Sequence, residues 1–336
     1  MKWRETCWSM RSRRLVMLAA VDALLTLPLV AKAQTATTVR RIGSLTPGEP
    51  ETPAYREQIM APLRALGWVE GQNLIVERRY AGARPELLLP LAEELVRLKV
   101  EIIVTNGTSA TLAARNATTT IPIVIFAAGD PVGAGLAASL SRPGGNVTGY
   151  SLLGKELDAK GLSLLRELLP AARRVGMLVS STNPYFELSR NAYEQMSRSI
   201  GIELIFIQVS AASEAADAVA EVARRQSQAL FVPGNQVFYD SRADIMRAAQ
   251  RHSLPTMVDY REMLEAGALL SYGPTEAEQH RRFAYFVDKI LRGAKPADLP
   301  IQQPTEFKLS INLKAAKSLG ITIPQSLLLR ADEVIQ

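Results

Sequence analysis

The sequence predicts an α/β protein with two Rossmann-like lobes, each built on a parallel sheet, joined by a hinge with three chain crossings. Short apolar, β-branched runs alternate with segments of helical spacing, which is the pattern of β-α-β units. The same order of elements occurs twice, and the motif Arg-Arg-aliphatic-Gly at 40–43 returns at 173–176. Turn-rich stretches follow each copy, where the chain can pass between lobes.

The first copy begins with a short strand and loop at 40–48 and continues as alternating helices and strands. The further strands are predicted at 74–80, 102–104 and 123–126, and the helices at 55–66, 85–98 and 111–117. Gly67 directly follows the first helix, where a residue with left-handed backbone commonly ends a helix. This order predicts a parallel sheet with helices on both faces.

The second copy repeats this order from residue 173. Its first strand and loop are predicted at 173–184, its later strands at 204–209, 229–232 and 254–258, and a helix at 214–225. The candidate crossings are 143–151, 269–274 and 298–313. We therefore expect discontinuous lobes: lobe 1 contains 39–147 plus 274–302, and lobe 2 contains 148–273 plus 303–334.

The stretch 101–110 predicts a buried strand that leads directly into a helix. Asn106-Gly107 breaks the strand, and Thr108 or Ser109 can cap the helix. Backbone N–H groups without intrahelical partners and the positive end of the helix dipole can hold a carboxylate or phosphate there. The alternative is an ordinary turn between strand and helix.

Residues 1–33 resemble a secretory leader, because basic residues precede an apolar run and a small-x-small cleavage site ends at Ala33-Gln34. A retained membrane anchor is the alternative, although the largely apolar run is only 16 residues long, which is short for a span, and Asp22 and Pro28 weaken it. The export route, general secretory or twin-arginine, stays open, and translation can begin at Met1 or Met10. Cys7, the single cysteine, lies in this leader, so we expect none in the mature chain.

The composition, with 47% apolar and 21% charged residues, is that of a globular protein rather than a fibrous or disordered one. The net charge is +6, but residues 1–33 hold six basic and two acidic residues. The remainder is too weakly basic for a nucleic-acid-binding surface, so we expect no nucleic-acid partner.

The sequence has no motif that pairs a nucleophile with a base and no metal-ligand spacing. His252 and His280, the two histidines, are predicted to be solvated surface residues. The run 133–138 fits G-x-G-x-x-A, but it does not open a βαβ unit as a dinucleotide site requires. We interpret it as small residues that pack a helix closely, and we expect no enzyme activity, metal or cofactor.

Motifs in order along the chain resemble the ABC transporter substrate-binding family, which includes tryptophan- and tyrosine-type amino-acid binders. They are IG at 42–43, GWVEGQN at 67–73, ELVRLKV at 94–100, NGTSA at 106–110, IPIV at 121–124, GDPV at 129–132, RPGGNVTG at 142–149, LSYGP at 270–274 and IPQSLLLRADE at 323–333. The resemblance spans residue 39 to the end. It implies a type I periplasmic-binding-protein fold, in which two lobes joined by three crossings close around a ligand.

The resemblance also implies a ligand site between the lobes. Thr108, Ser109 and neighbouring amides would bind a carboxylate, and Asp130 an ammonium group. The other implied contacts are Ser44, Leu45, Asn183 and Asn235, with Tyr150, Asp259, Tyr260 and Tyr272 near the cleft. Asp130 can instead shape a turn before Pro131, and the tyrosines can instead pack the lobes. Many relatives have proline in place of Ser109, so this chain departs from the family pattern at the site. An aromatic amino acid is therefore the favoured ligand, and other small organic ligands remain alternatives.

The sequence thus predicts a monomeric, exported receptor in the periplasm that delivers a small organic ligand, favoured to be an amino acid, to an ABC permease. Two alternatives belong to other classes. An exported α/β enzyme acting on a small carboxylate would need catalytic groups. A ligand-sensing domain related to transcriptional regulators would need a DNA-binding module where this chain has a leader.

Overall fold

The computed structural model describes residues 39–336. The predicted leader at 1–33, its cleavage site near Ala33-Gln34 and Cys7 lie outside the described residues. Between residues 39 and 336, no helix is both long enough and apolar enough to span a bilayer.

The first sheet has five strands, all parallel, in the order β2-β1-β3-β4-β5. Its strands are β1 (Arg40–Thr46), β2 (Leu74–Tyr80), β3 (Ile102–Asn106), β4 (Ile123–Ala128) and β5 (Val147–Ser151). β3 and β4 are buried on both faces, as their continuous apolar runs predict. This sheet is the centre of lobe 1.

The second sheet has seven strands in the order β12-β11-β10-β9-β8-β6-β7 and is the centre of lobe 2. Its strands are β6 (Arg174–Ser180), β7 (Glu203–Val209), β8 (Ala229–Val232), β9 (Thr256–Val258), β10 (Leu270–Pro274), β11 (Phe307–Asn312) and β12 (Glu333–Ile335). All neighbouring strands are parallel except β10 and β11. The two mostly parallel sheets confirm the predicted fold class.

Helices cover both faces of each sheet, so each lobe has three layers. They are α1 (Pro53–Ala65), α2 (Leu88–Arg97), α3 (Gly107–Ala117), α4 (Gly154–Leu168), α5 (Tyr185–Ile200), α6 (Ala215–Arg224), α7 (Gln236–Asp240), α8 (Arg242–Arg251), α9 (Glu262–Glu265), α10 (Glu276–Leu291), α11 (Leu313–Ser318) and α12 (Gln325–Leu328). In lobe 1, α1 and α10 pack on one face and α2 and α3 on the other. In lobe 2, α4, α5, α11 and α12 cover one face and α6 to α9 the other.

The chain passes between the lobes three times: after β5, between β10 and α10, and before β11. Two of these segments lie side by side, because Ser151 N–H donates to the Gln302 carbonyl at 2.8 Å and Gln302 N–H to the Gly149 carbonyl at 2.9 Å. The boundary we placed at residue 147 differs from this arrangement. β5 pairs with β4 and so extends the first sheet.

Two local predictions were wrong. His280 is buried, because α10 lies against lobe 1 and sets its ring between those of Tyr55 and Phe126, at centroid distances of 5.6 and 5.7 Å. Burial lowers the pKa of His280 to about 4, so it is neutral. The run 133–138 forms turns rather than a helical packing surface. His252 is exposed as predicted.

Candidate ligand-binding site

A cavity of about 100 Å³ lies between the lobes, where the carboxyl ends of strands from both sheets face each other. Lobe 1 contributes the ends of β3 and β4 and the start of α3. Lobe 2 contributes the loops after β6, β8 and β9 together with α4 and α5. The cavity therefore occupies the position where open α/β sheets bind their ligands.

The wall from lobe 1 is the N-terminus of α3. Gly107 opens this helix with φ +82°, a conformation that favours glycine, and Asn106 makes no side-chain cap. Thr108 is only 1% exposed, and its hydroxyl lines the cavity without a hydrogen-bond partner. Neither Thr108 nor Ser109 caps the helix, contrary to our expectation, so the first-turn amides remain available to an anion.

The wall from lobe 2 carries two buried carboxyl groups. Asp158 projects from α4 and Asp259 follows β9. The Tyr193 hydroxyl donates to Oδ2 of Asp158 at 2.5 Å, and the Gly234 N–H donates to Oδ2 of Asp259 at 2.6 Å. Oδ1 of Asp259 is buried without a partner.

The two carboxyls perturb each other. Burial raises the pKa of Asp158 to about 7. Burial, and then the nearby charge of Asp158, raise the pKa of Asp259 well above its ordinary value. Asp158 and Asp259 are the charged side chains of the cavity wall, and among the described residues that line it there is no lysine, arginine or histidine. A cationic group of a ligand is therefore the natural counterpart of this wall.

Aromatic and apolar side chains form much of the remaining surface, among them Met177, Val179 and Phe186. Tyr185, the first residue of α5, lies across the cleft against Gly129 of lobe 1, where an added Cβ would be 2.7 Å from the ring. The Tyr185 hydroxyl is buried and has no partner. This part of the cavity can bind an apolar or aromatic group that carries a polar atom.

The lobes touch directly beside the cavity. Nδ2 of Asn106 donates to Oε1 of Gln236 at 2.9 Å, and the Glu49 N–H donates to Oδ2 of Asp240 at 3.3 Å. Beyond the Asn106–Gln236 contact lies a second cavity of about 150 Å³, which both residues also line. This contact separates the two spaces.

The structure brings part of the predicted site together. Thr108, Ser109, Asn183, Asn235, Asp259 and Tyr260 line the first cavity. Asn183 and Asn235 also organise their own loops, because each side-chain oxygen accepts a backbone N–H two residues later, at 3.1 and 3.0 Å. Ser44 lines the second cavity instead.

Four predicted residues lie elsewhere. Asp130 is bound by Nζ of Lys155 at 2.9 Å and by the Gly133 N–H at 2.8 Å, so it shapes a turn and is not part of the cavity wall. Leu45 is fully buried in the core of lobe 1. Tyr272 stacks on Phe307 at a centroid distance of 5.7 Å, and Tyr150 is buried beside the crossing segments.

Three residues that were not predicted from the sequence as site residues line the cavity: Asp158, Tyr185 and Tyr193. For Asp158 there was a usable signal. It occupies the apolar stripe of α4 with Leu162 and Leu165, at the spacing i, i+4, i+7. A carboxyl group at such a position is buried, and a buried carboxyl needs a partner.

Comparison with known proteins identifies the family. A model described as ABC transporter substrate binding protein matches residues 49–335, nearly the whole described chain. The chain belongs to this family. Members of this family are extracytoplasmic, bind small molecules and work with ABC transporter permeases.

Individual relatives of this substrate-binding protein agree with that assignment. A tyrosine-binding protein from Clostridioides difficile (strain R20291) is 25% identical over 272 residues, which are 81% of this chain and 78% of that protein. The structure of an ABC domain in complex with L-Trp from Streptococcus pneumonia is 25% identical, with a TM-score of 0.79 over 89% of this chain and 100% of its own. A conserved domain protein from Vibrio cholerae is 28% identical, with a TM-score of 0.81 over 89% and 99% of the two chains.

Proposed function

We propose that this substrate-binding protein captures an amino acid, favoured to be aromatic, in the cavity between its lobes and delivers it to the permease of an ABC importer. The observation that carries this proposal is the division of polar groups between the walls. Unpaired amides and the Thr108 hydroxyl lie on one side, and Asp158 and Asp259 lie on the other. A zwitterion presents a group of opposite charge to each wall.

The start of α3 suits a carboxylate rather than a phosphate. A carboxylate at a helix N-terminus is stabilised by the open amides and the helix dipole, and the neutral hydroxyls of Thr108 and Ser109 can donate to it. No arginine or lysine lines the described part of this wall. A phosphate would bring a second negative charge into a cavity that already contains two carboxyl groups.

The favoured side chain of the ligand is aromatic. The cavity offers Phe186 and Tyr185 beside aliphatic residues, which matches a flat apolar group. The names of two relatives support this choice, since one is a tyrosine-binding protein and the other was solved in complex with L-Trp. We propose that the free Tyr185 hydroxyl bonds a polar atom of the bound ligand.

Capture would proceed by closure about the crossing segments. Asn106 and Gln236 meet only when the lobes are together, so their hydrogen bond belongs to a closed arrangement. Ligand bound to both walls would stabilise that arrangement, and the permease would recognise it. We further propose that the protein is a non-catalytic monomer in the periplasm, exported by the leader at 1–33.

Asp130 does not retain its expected role in this proposal. Burial raises the pKa of its carboxyl group, but the hydrogen bonds from the Gly133 N–H and Lys155 and the charge of Lys155 outweigh burial and leave that pKa below the ordinary value. We assign the ligand's ammonium group to the acidic wall formed by Asp158 and Asp259 instead. Ser44 remains a proposed contact only for a ligand that extends into the second cavity.

A thermal-shift screen tests the proposal. The purified protein is melted with each of the common amino acids and with their deaminated analogues. A ligand at about 100 times its Kd stabilises the folded state by about 2.7 kcal/mol, which gives a clear rise in Tm. We expect L-tryptophan or L-tyrosine to give the largest rise. A melt that no amino acid changes, combined with turnover in a panel of hydrolase substrates, would contradict a receptor function.

A further inference from the structure

The acidic wall contains two carboxyl groups where a single ammonium group needs one. Asp158 is 2% exposed and Asp259 is 7% exposed, and no basic side chain lines the described cavity to neutralise them. Two carboxylates that line one water-poor cavity repel each other, so at least one of them holds a proton. The unpartnered Oδ1 of Asp259 has a donor if that proton is shared with Asp158.

The groups around the pair also favour a retained proton. From α5, Tyr193 donates to Asp158, and the Tyr185 hydroxyl lies near it without a charge of its own. From α4, Glu156 adds a negative charge that further raises the pKa of Asp158. Beside Asp259 lie Tyr260 and the donating Gly234 N–H. Lys155, which precedes Asp158 by three residues on α4, is paired with Asp130.

We propose that Asp158 and Asp259 form one cation site, which holds protons while the cavity is empty and exchanges one of them for the primary ammonium group of the ligand. The inference rests on the proposed amino-acid receptor function and deepens it. It makes the ammonium group a required feature of the ligand. It also makes binding a one-for-one exchange of positive charges that leaves the net charge of the cavity unchanged.

The direction of the pH dependence follows from this exchange. The pair holds protons in the empty cavity below about pH 7, because burial raises the pKa of Asp158 to about 7 and raises the pKa of Asp259 well above its ordinary value. The ammonium group then binds only when one proton leaves. Affinity therefore rises about tenfold per pH unit up to about pH 7 and then levels off.

Three probes with the same ring test the exchange: L-tryptophan, tryptamine, which lacks the carboxylate, and 3-(indol-3-yl)propionate, which lacks the ammonium group. Calorimetric titrations at pH 5.5, 6.5 and 7.5, in buffers of different ionisation enthalpy, give the Kd and the protons released. For the two ammonium probes alone, we expect about one proton released at pH 5.5, a nearly tenfold gain in affinity from pH 5.5 to 6.5, and a smaller gain and little proton release at pH 7.5. Equal affinity for L-tryptophan at all three pH values, without proton release, would overturn the exchange and leave the receptor function standing.

The variants Asp158→Asn and Asp259→Asn locate the site, with Asp217→Asn on the exposed face of α6 as the matched control. We expect each cavity variant to weaken the binding of L-tryptophan and tryptamine at least tenfold and to change the pH at which their affinity levels off. The propionate should bind each cavity variant as tightly as wild type or more tightly, and the control should bind like wild type. Preferential loss of the propionate would overturn the cation site alone.

The Tm of the ligand-free protein, measured as a function of pH, tests whether Asp158 and Asp259 hold protons even if no probe binds. The folded state holds protons that an unfolded aspartate releases near pH 4, so stability from this pair falls as pH rises from about 4 through 7. The Tm of Asp158→Asn relative to wild type should rise by about 2–4 °C between pH 5 and 8. Parallel profiles would overturn the shared proton. If none of the probes binds but the melting profiles of wild type and Asp158→Asn diverge, the aromatic amino-acid ligand is rejected and the proton-holding pair is supported.

Discussion

The two walls of the cavity differ in how they carry charge. Lobe 1 presents a positive end through backbone amides and neutral hydroxyls at the start of α3, and none of its described residues that line the cavity has a charged side chain. Lobe 2 presents acidic and aromatic side chains from α4, α5 and the loop after β9. Under the proposed function, each lobe would bind one end of a zwitterion, so only the closed protein would contact both ends. Selectivity for an amino acid would then require both lobes together.

Behind these different walls the lobes share a scaffold. Gly43 in β1 and Gly176 in β6 occupy the same place in the repeated Arg-Arg-aliphatic-Gly motif, and a helix packs against each glycine. In lobe 1 the neighbour is Leu95 of α2, and in lobe 2 it is Val222 of α6. The contact between strand and helix is therefore conserved between the copies, while the side chains at the strand ends differ.

Substitution of these two glycines gives the largest expected effects, which are losses of stability that should differ between the two lobes. In Gly176→Ala the new Cβ would lie 2.7 Å from Cγ2 of Val222, a stiff branched side chain in a closed core. We expect a loss of about 2–3 kcal/mol in the free energy of unfolding. In Gly43→Ala the nearest atoms are the methyl ends of Leu95 at 2.9 Å, which can move, so about 1 kcal/mol is expected.

Urea unfolding of both variants measures the difference. Gly145→Ala is the matched control, because nothing lies within 4 Å of the added Cβ, and its stability should change by less than about 0.5 kcal/mol. Equal losses in Gly43→Ala and Gly176→Ala would show that the two helix contacts are equally rigid. The scaffold would then be more symmetric than the distances indicate.

Thr108→Val, the next largest effect, removes the lobe 1 hydroxyl while keeping its shape. The wild-type hydroxyl is buried without a partner, so its loss should leave the free energy of unfolding unchanged or slightly higher. A hydroxyl that donates to a bound carboxylate is worth more, so the Kd for L-tryptophan should rise about tenfold, or about 1.4 kcal/mol. Calorimetric titration and thermal unfolding measure the two quantities.

Thr111→Val on the same helix is the contrasting control for Thr108→Val. The Thr111 hydroxyl donates to the Gly107 carbonyl at 2.8 Å and contacts the Thr105 hydroxyl at 2.8 Å, away from the cavity wall. Its loss should cost about 1 kcal/mol of stability with a smaller effect on binding. If Thr108→Val instead loses stability and retains full affinity, Thr108 has a structural role, and the backbone amides of lobe 1 bind the carboxylate without its hydroxyl.

The predictable parts of the fold are those specified within one segment. The run 102–104 predicts a buried strand, and the helix after Asn106-Gly107 follows from the break in that run. The repeat at residue 173 likewise predicts the second sheet. Each of these features depends on local spacing and turn residues, which a single sequence displays directly.

The parts that failed depend on partners from other segments. Asp130 follows β4 as an ammonium-binding acid would, but Lys155 from the next element neutralises it. His280 has charged neighbours in sequence, yet α10 presents it to lobe 1. Asp158 lies in the cavity wall with Asp259, which is about one hundred residues later in the chain. The packing that brings the two carboxyl groups together cannot be seen in any local sequence pattern.

The smallest expected effect concerns the contact between the lobes. Asn106→Ala removes the donor to Gln236 without removing a helix cap, because the Asn106 side chain makes no cap hydrogen bond. A partly buried neutral hydrogen bond contributes about 0.5–1 kcal/mol net, so the closed form should lose that much and the Kd should rise about threefold. Asn73→Ala, whose side chain bonds only within lobe 1, should lower stability without changing the Kd. Unchanged affinity in Asn106→Ala would mean that the hydrogen bond to Gln236 does not stabilise the closed form and that contacts with the ligand alone do so.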